Sequence, residues 1–525
     1  MWYILQVEIL PADLILKNAN VITVDAGQPG AAMVAVRDDK IIRVAASREG
    51  EIVGGGATRV IDCRGKTLVP GFIDAHCHIF SFIRKLLSVD LSPSSVSSIA
   101  DIKAAIRRQA DNTPPGQWIT GTDYNDFYLE EKRHPTRWEI DEVAPDHPVV
   151  LSHRSLHACV LNSRALALAG ITRETAEPQG GVIERDADSG EPDGLLLEML
   201  GHIREKVMPV LSATELDTGV TLANQNYLAH GITSLQDATF VNNLERWQKF
   251  RRFKDEGKLK SRLYMMTGIE NLGQFQQAGL AFASGDNHLR LGGVKILLNA
   301  AGGELYPAQA ELNRQVASAQ RDGFQLAIHA VRMEAVEAAI TALEYARDLL
   351  PAVGLRHRIE HCSECPPHLL ERLARLQALV VTQPPFIYYS GQRYLATVAP
   401  ERQPWLYRIA SFLANGLIVA ASSDSPIVPD NPLAGICAAV TRQAESGQYL
   451  LPEESIPADQ ALALYTLNAA YASGEETLKG SVTQGKLADL VLLSDDPTRV
   501  PPEAIKNIRV EMTIIGGEVV YQAPD

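Results

Sequence analysis

Leu68-Val69-Pro70-Gly71-Phe72-Ile73-Asp74-Ala75-His76-Cys77-His78 is an apolar run that ends in two histidines, one residue apart. In an extended chain, residues two apart face the same way, so both imidazoles can point to one side at the end of a strand. Imidazole suits a borderline metal such as Zn²⁺, although a lone His-x-His carries little weight. Working outward, seven more short apolar segments follow: Thr233–Asp237, Leu263–Thr267, Val294–Leu298, Leu326–Ala330, His357–Glu360, Leu379–Gln383 and Ile418–Ser422. With Phe72–Ala75 they make eight candidate buried strands, and most neighbouring pairs flank a helix-like stretch such as Glu334–Leu350 or Pro400–Ala414. Strand–helix alternation repeated eight times predicts an α/β fold, a parallel (β/α)₈ TIM barrel. An open doubly wound sheet is the alternative, but no Gly-rich phosphate loop follows any strand.

The ends of these segments carry the polar residues. His329 closes the fifth, Glu360-His361 closes the sixth, and Ser423-Asp424-Ser425 follows the eighth. The C-terminal strand ends form the catalytic face of such a barrel. A single histidine there is more often a hydrogen-bonded core residue, whereas four histidines and an aspartate at strand ends point to a metal site. Lys295 lies inside the fourth segment. Neither face of a barrel strand welcomes an ammonium ion, and burial favours the neutral, nucleophilic amine. Such an amine can capture carbon dioxide as a carbamate, an anionic two-oxygen group able to bridge two metal ions. The bland reading is a buried butyl stem with a snorkelling amine.

Segments at both chain ends alternate as short strands, among them 12–24, 31–45, 58–70, 487–496 and 509–522, with turns expected at Gly54–Gly56 and Gly516–Gly517. Neither end can bury a core alone, so 1–68 and 481–525 are expected to form one small β-sandwich domain, and 69–480 the barrel. Residues 80–215 separate the first two barrel strands by far more than an ordinary loop, and are expected to form an insertion over the barrel mouth.

The chain of 525 residues is 46% hydrophobic with a net charge of −14, which argues against nucleic acid as a partner. Six irregularly spaced cysteines fit a reducing compartment, with Cys362 and Cys365 as inert thiols. The apolar N-terminus lacks a basic region and a cleavage site, and no run spans a bilayer. A cytoplasmic protein without membrane contact, acting on a small molecule and forming a homo-oligomer, is the expectation.

Together, LVPGFIDAHCH, GITSLQDA, GGVKI, IHAV, RIEH, VTQPP, SSDSP and GKLADLVLL resemble the amidohydrolase superfamily over nearly the whole chain. Two stretches of the insertion, His157–Leu166 and Gly194–Glu198, resemble its large-insert, YtcJ-like branch (amidohydrolase family 3), which includes N-substituted formamide deformylase. The resemblance implies a metal-dependent hydrolase of non-peptide carbon–nitrogen bonds. It implies one or two divalent ions, Zn²⁺ first among them, with His76 and His78 on one and His329 and His361 on the other. A carboxylated Lys295 would bridge them, and Asp424 would ligate metal and shuttle the proton. His157, Glu198 and Gln383 are expected to contact substrate, with Phe386, Tyr388 and Tyr389 as an aromatic wall. The stretches after Lys295 (ILLNAAGGELYPAQ) and His329 (AVRMEA) depart from the branch's usual pattern. An aminohydrolase acting on a ring is the alternative chemistry, and a non-catalytic barrel scaffold is a weaker one that would predict missing ligands.

Overall fold

The computed structural model describes residues 11–45, 54–178, 181–299, 305–351 and 354–524. The N-terminal run read above as no signal peptide, and positions 300–304 of the stretch after Lys295, lie outside the described residues.

Eight parallel strands form the central sheet: β1 (Phe72–Cys77), β2 (Ile232–Asp237), β3 (Arg262–Gly268), β4 (Leu289–Leu297), β5 (Leu326–Ala330), β6 (Arg358–His361), β7 (Leu379–Thr382) and β8 (Val419–Ala421). They pair in chain order. Just past β8 the backbone meets β1 again, where Asp424 N–H donates to His76 O and His78 N–H to Ser425 O, both at 2.8 Å. This is the expected (β/α)₈ barrel. β4 starts five residues before the expected Val294 because its glycines belong to the strand rather than to a turn. A Cβ on Gly292 would stand 2.3 Å from the Tyr264 ring, so only glycine allows that approach.

One helix prediction needs correction. The stretch 400–414 is a short 3₁₀ turn, Gln403–Trp405, and a separate helix, Ile409–Ala414. Pro404 and the positive φ of Tyr407 (+48°) keep the two apart. The longer helix lies earlier, at Pro385–Thr397.

A separate mixed sheet draws strands from both chain ends, in the order Glu518–Gln522, Val510–Ile515, Leu490–Leu493, Thr67–Pro70, Ala12–Ile22, Gly30–Arg37 and Lys40–Ala45. Leu14, Leu16, Val34, Leu68, Leu490 and Ile514 build its core. The Gly516-Gly517 turn has φ values of +55° and +80°, as a tight hairpin of this hand needs. Gly54–Gly56 is not a turn: Gly54–Asp62 is a strand parallel to Ala12–Ile22, and the glycines fall where its register shifts. Arg262, the first residue of β3, grips Asp489 beside the C-terminal strands, Nε to Oδ2 at 2.7 Å and Nη2 to Oδ1 at 2.9 Å.

Residues 79–223, with 426–428, make a second compact unit. Its own six-stranded sheet runs Val182–Arg185, Pro192–Leu197, Ala158–Leu161, Val149–His153, Ile119–Tyr124 and Val89–Asp90. Leu91, Ile102, Ile106, Leu151 and Val160 pack its core against the helix Ile99–Ala110, which Ser98 and Asp101 close with a capping box. The buried Asn162 caps the next helix through Ala165 N–H (3.0 Å) and ties down Val149 N–H (2.9 Å), so the Asn162-Ser163 motif is structural.

Candidate metal centre

The candidate site forms where the barrel strands end. His76, on β1, is fully buried. Its Nδ1–H donates to Oε2 of Glu360 on β6, and Arg358 holds both oxygens of that carboxylate in a charged pair also fully buried. Arg358 in turn donates to the Ala75 carbonyl (2.6 Å). A carboxylate can only accept, so this bond fixes the tautomer of His76 and turns the Nε2 lone pair to the barrel axis. Burial, reinforced by Lys295, depresses the His76 pKa and keeps the ring neutral.

His78 meets Thr239 Oγ1 through Nδ1 at 2.9 Å. Its Nε2 lies 3.0 Å from Asp424 Oδ1, and the same oxygen lies 3.5 Å from His76 Nε2. These three ligand atoms lie within 4.8 Å of one another. Asp424 Oδ1 is buried with no well-aligned hydrogen-bond donor among the described residues. Burial would raise the Asp424 pKa, but the hydrogen-bonding approach of His78, with the imidazoles of His361 and His76 close by, holds it below the usual carboxylate range. Two imidazole nitrogens and an ionised carboxylate oxygen converging on one point suit a divalent cation, so the donor set fits a metal ion.

His361 lies beside this set, its ring centroid 4.9 Å from that of His76 and 4.5 Å from that of His329. Strict alternation would send His361 outward, because its neighbour Glu360 points inward. A positive φ at His361 (+71°), continued at Cys362 (+48°), turns the ring back to the mouth. Its Nδ1 is 2.8 Å from Gln383 Oε1, and Gln383 Nε2 donates to Ser422 Oγ at 3.0 Å. Gln383 is thus fully buried behind a histidine. Asp424 is itself at φ +58°, in a turn where Asp74 accepts from Ser423 N–H (3.0 Å).

Lys295 is 2% exposed, with Nζ 3.3 Å from His76 Nε2. Burial pushes its amine down to about 8, against the opposing pull of Glu360 and Asp424.

His157 and Glu198 belong to the second unit and pair with each other, Nδ1 to Oε2 at 3.0 Å. Phe386 and Tyr388, on the helix Pro385–Thr397, pack in a cluster with Ile387 of the same helix and with Tyr407. The Tyr388 hydroxyl meets Lys506 Nζ (3.1 Å). All six cysteines are buried and unpaired. No helix among the described residues is long and apolar enough to cross a membrane.

Arg358, Glu360 and Thr239 are absent from the sequence-derived site. Charged residues within an apolar strand, the signal that singled out Lys295, also mark the first two. A threonine after a strand carries no such mark.

The sequence model of the Amidohydrolase family matches residues 59–521. The chain belongs to the amidohydrolase family. Among its relatives, N-substituted formamide deformylase of Arthrobacter pascens is 32% identical, covering 97% of this chain and 98% of that protein. Putative amidohydrolase YtcJ of Bacillus subtilis (strain 168) is 28% identical over 92% of this chain and 95% of that one. An uncharacterized metal-dependent hydrolase from Pyrococcus horikoshii superimposes on this amidohydrolase with a TM-score of 0.74. That match covers 93% of this chain and 99% of the other at 24% identity, a likeness of fold. The amidohydrolase therefore carries its histidine–aspartate centre on the barrel face where this architecture places its chemistry.

Proposed function

We propose that this amidohydrolase is a member of the YtcJ-like branch that hydrolyses a non-peptide carbon–nitrogen bond in a linear or cyclic amide of the formamide type. The supporting observation is the convergence of His76 Nε2, His78 Nε2 and Asp424 Oδ1 within 4.8 Å. The deformylase relative adds support for the formamide class. His76, His78 and Asp424 would hold the ion, with His329 and His361 extending the set, and the imidazole-rich donors favour zinc. A bound divalent ion supplies positive charge that polarises an amide carbonyl and eases deprotonation of water.

The chain's own groups do the rest. In this reading the Lys295 amine adds to carbon dioxide, losing a proton and gaining an anionic carbamate that balances the positive charge. Asp424, held ionised, takes a proton from the attacking water and returns it to the leaving nitrogen. Glu360, Thr239 and Gln383 keep the imidazoles aimed. His157 and Glu198 belong to substrate selection from the inserted unit.

The test is metal analysis of the purified protein, with a screen of formamides, anilides and lactams read by free amine and free acid. Asp424→Asn keeps an oxygen donor and loses the base, so kcat should fall roughly 10²-fold or more with most metal retained. Stoichiometric metal, no amide cleaved and ammonia released from ring substrates would reject this function in favour of an aminohydrolase.

A further inference from the structure

The inward faces of β4 and β5 change character at the mouth. Lys295 reaches His76 and the His329 ring meets that of His361 edge-on, so both point to the barrel axis. Side chains two residues on share that face, which puts Leu297 above Lys295 and Val331, just past the end of β5, above His329. By the same alternation Ile296, Leu298, Ile328 and Ala330 fall on the opposite face, and all four are buried. Leu297 is the register partner of His329 on the adjoining strand. Inward residues of a barrel are normally packed, yet Leu297 is 39% and Val331 37% exposed, against 2% for Lys295. These two exposed aliphatic side chains border the polar centre, Leu297 level with His329 and Val331 one layer beyond it. Across the axis the corresponding positions are polar: His78, Asp424 and Thr239.

We infer that the Leu297–Val331 face is the specificity wall of the site, and that the substrate carries a hydrocarbon arm beside its scissile amide. The arm lies on β4 and β5 while the carbonyl faces His76, His78 and Asp424. This rests on the proposed hydrolytic reading, which says nothing about what flanks the amide. An aliphatic wall rewards each methylene it removes from water and offers no partner to a charged or hydroxylated arm.

The experiment uses the metal-loaded protein and straight-chain hydroxamic acids from acetohydroxamate to hexanohydroxamate, titrated by calorimetry. Affinity should rise about fourfold per added methylene. In the double variant Leu297→Asn/Val331→Thr the dependence on chain length should flatten, and the slope serves as its own control for altered folding or metal content. A flat series in the unmodified protein, or an undiminished slope in the variant, overturns the wall. No binding by any member of the series overturns both the wall and the metal centre beneath it. A steep series that flattens in the variant, with no amide hydrolysed, keeps the wall and rejects the reaction. As a second readout, N-butylformamide should exceed its isostere N-(3-hydroxypropyl)formamide in kcat/KM by about tenfold or more. Equal values would count against the wall.

Discussion

His76 donates its Nδ1–H to Glu360 Oε2, and Arg358 holds both oxygens of that carboxylate, all three side chains sealed from solvent. His78 and His361 rest on neutral partners, Thr239 and Gln383. His76 is backed by a charge where His78 and His361 are not, which makes its Nε2 the strongest imidazole donor of these three.

Glu360→Gln keeps an oxygen for the His76 proton but removes the charge and leaves Arg358 buried without a counter-ion. Metal affinity, measured by competition with a chelator, should fall about 10–100-fold. Glu360→Asp should recover part of it. Unchanged affinity in Glu360→Gln would show that the carboxylate is only packing.

Lys295→Ala removes the one side chain that reaches His76 Nε2 from β4. Bound metal should drop and turnover should disappear. Short carboxylic acids, which place two oxygens in the space left behind, should restore part of both. Full metal content and full activity in the variant would remove the carbamate from the mechanism.

His157 and Glu198 form a partly solvent-exposed pair at 3.0 Å in the inserted unit. If they take part in reading substrate, His157→Ala and Glu198→Gln should reorder kcat/KM among amides with Tm and metal content nearly intact. Lost stability with an unchanged ranking would assign the pair to structure.

The barrel was legible because its strands are short, buried on both faces and therefore continuously apolar, with β2 and β5 found to within a residue. The candidate ligand histidines stood out as polar residues at the ends of such runs. What alternation could not supply was aim. His361 and Asp424 reach the centre only through left-handed backbone at +71° and +58°, on residues without glycine's freedom to announce it. Nor could it show that Gln383, expected at the substrate, spends its amide oxygen on His361. Such second-layer bonds depend on which strand lies next in space, and local sequence patterns do not encode that.

His357 offers a test of acid stability away from the metal ligands. It precedes β6, its Nδ1 accepting from Leu326 N–H (3.1 Å) and its Nε2–H donating to Gln320 Oε1 (2.8 Å). Both nitrogens are satisfied in the neutral form, and burial holds the pKa down at about 4 against an ordinary 6.5. The unfolded chain therefore takes up a proton as pH falls through 6.5, while the folded chain refuses it until about 4. Stability is fully present above 6.5 and drains away across that window, by about 3 kcal/mol at most for this one group. His357→Gln carries no titrating group, so its urea midpoint should change less between pH 6.5 and 4 than that of the unmodified protein. Because other groups titrate in both proteins, the difference between the two slopes isolates His357. Equal slopes would mean that the folded protein accommodates a protonated His357, and that Gln320 turns its amide or Leu326 N–H yields to allow it.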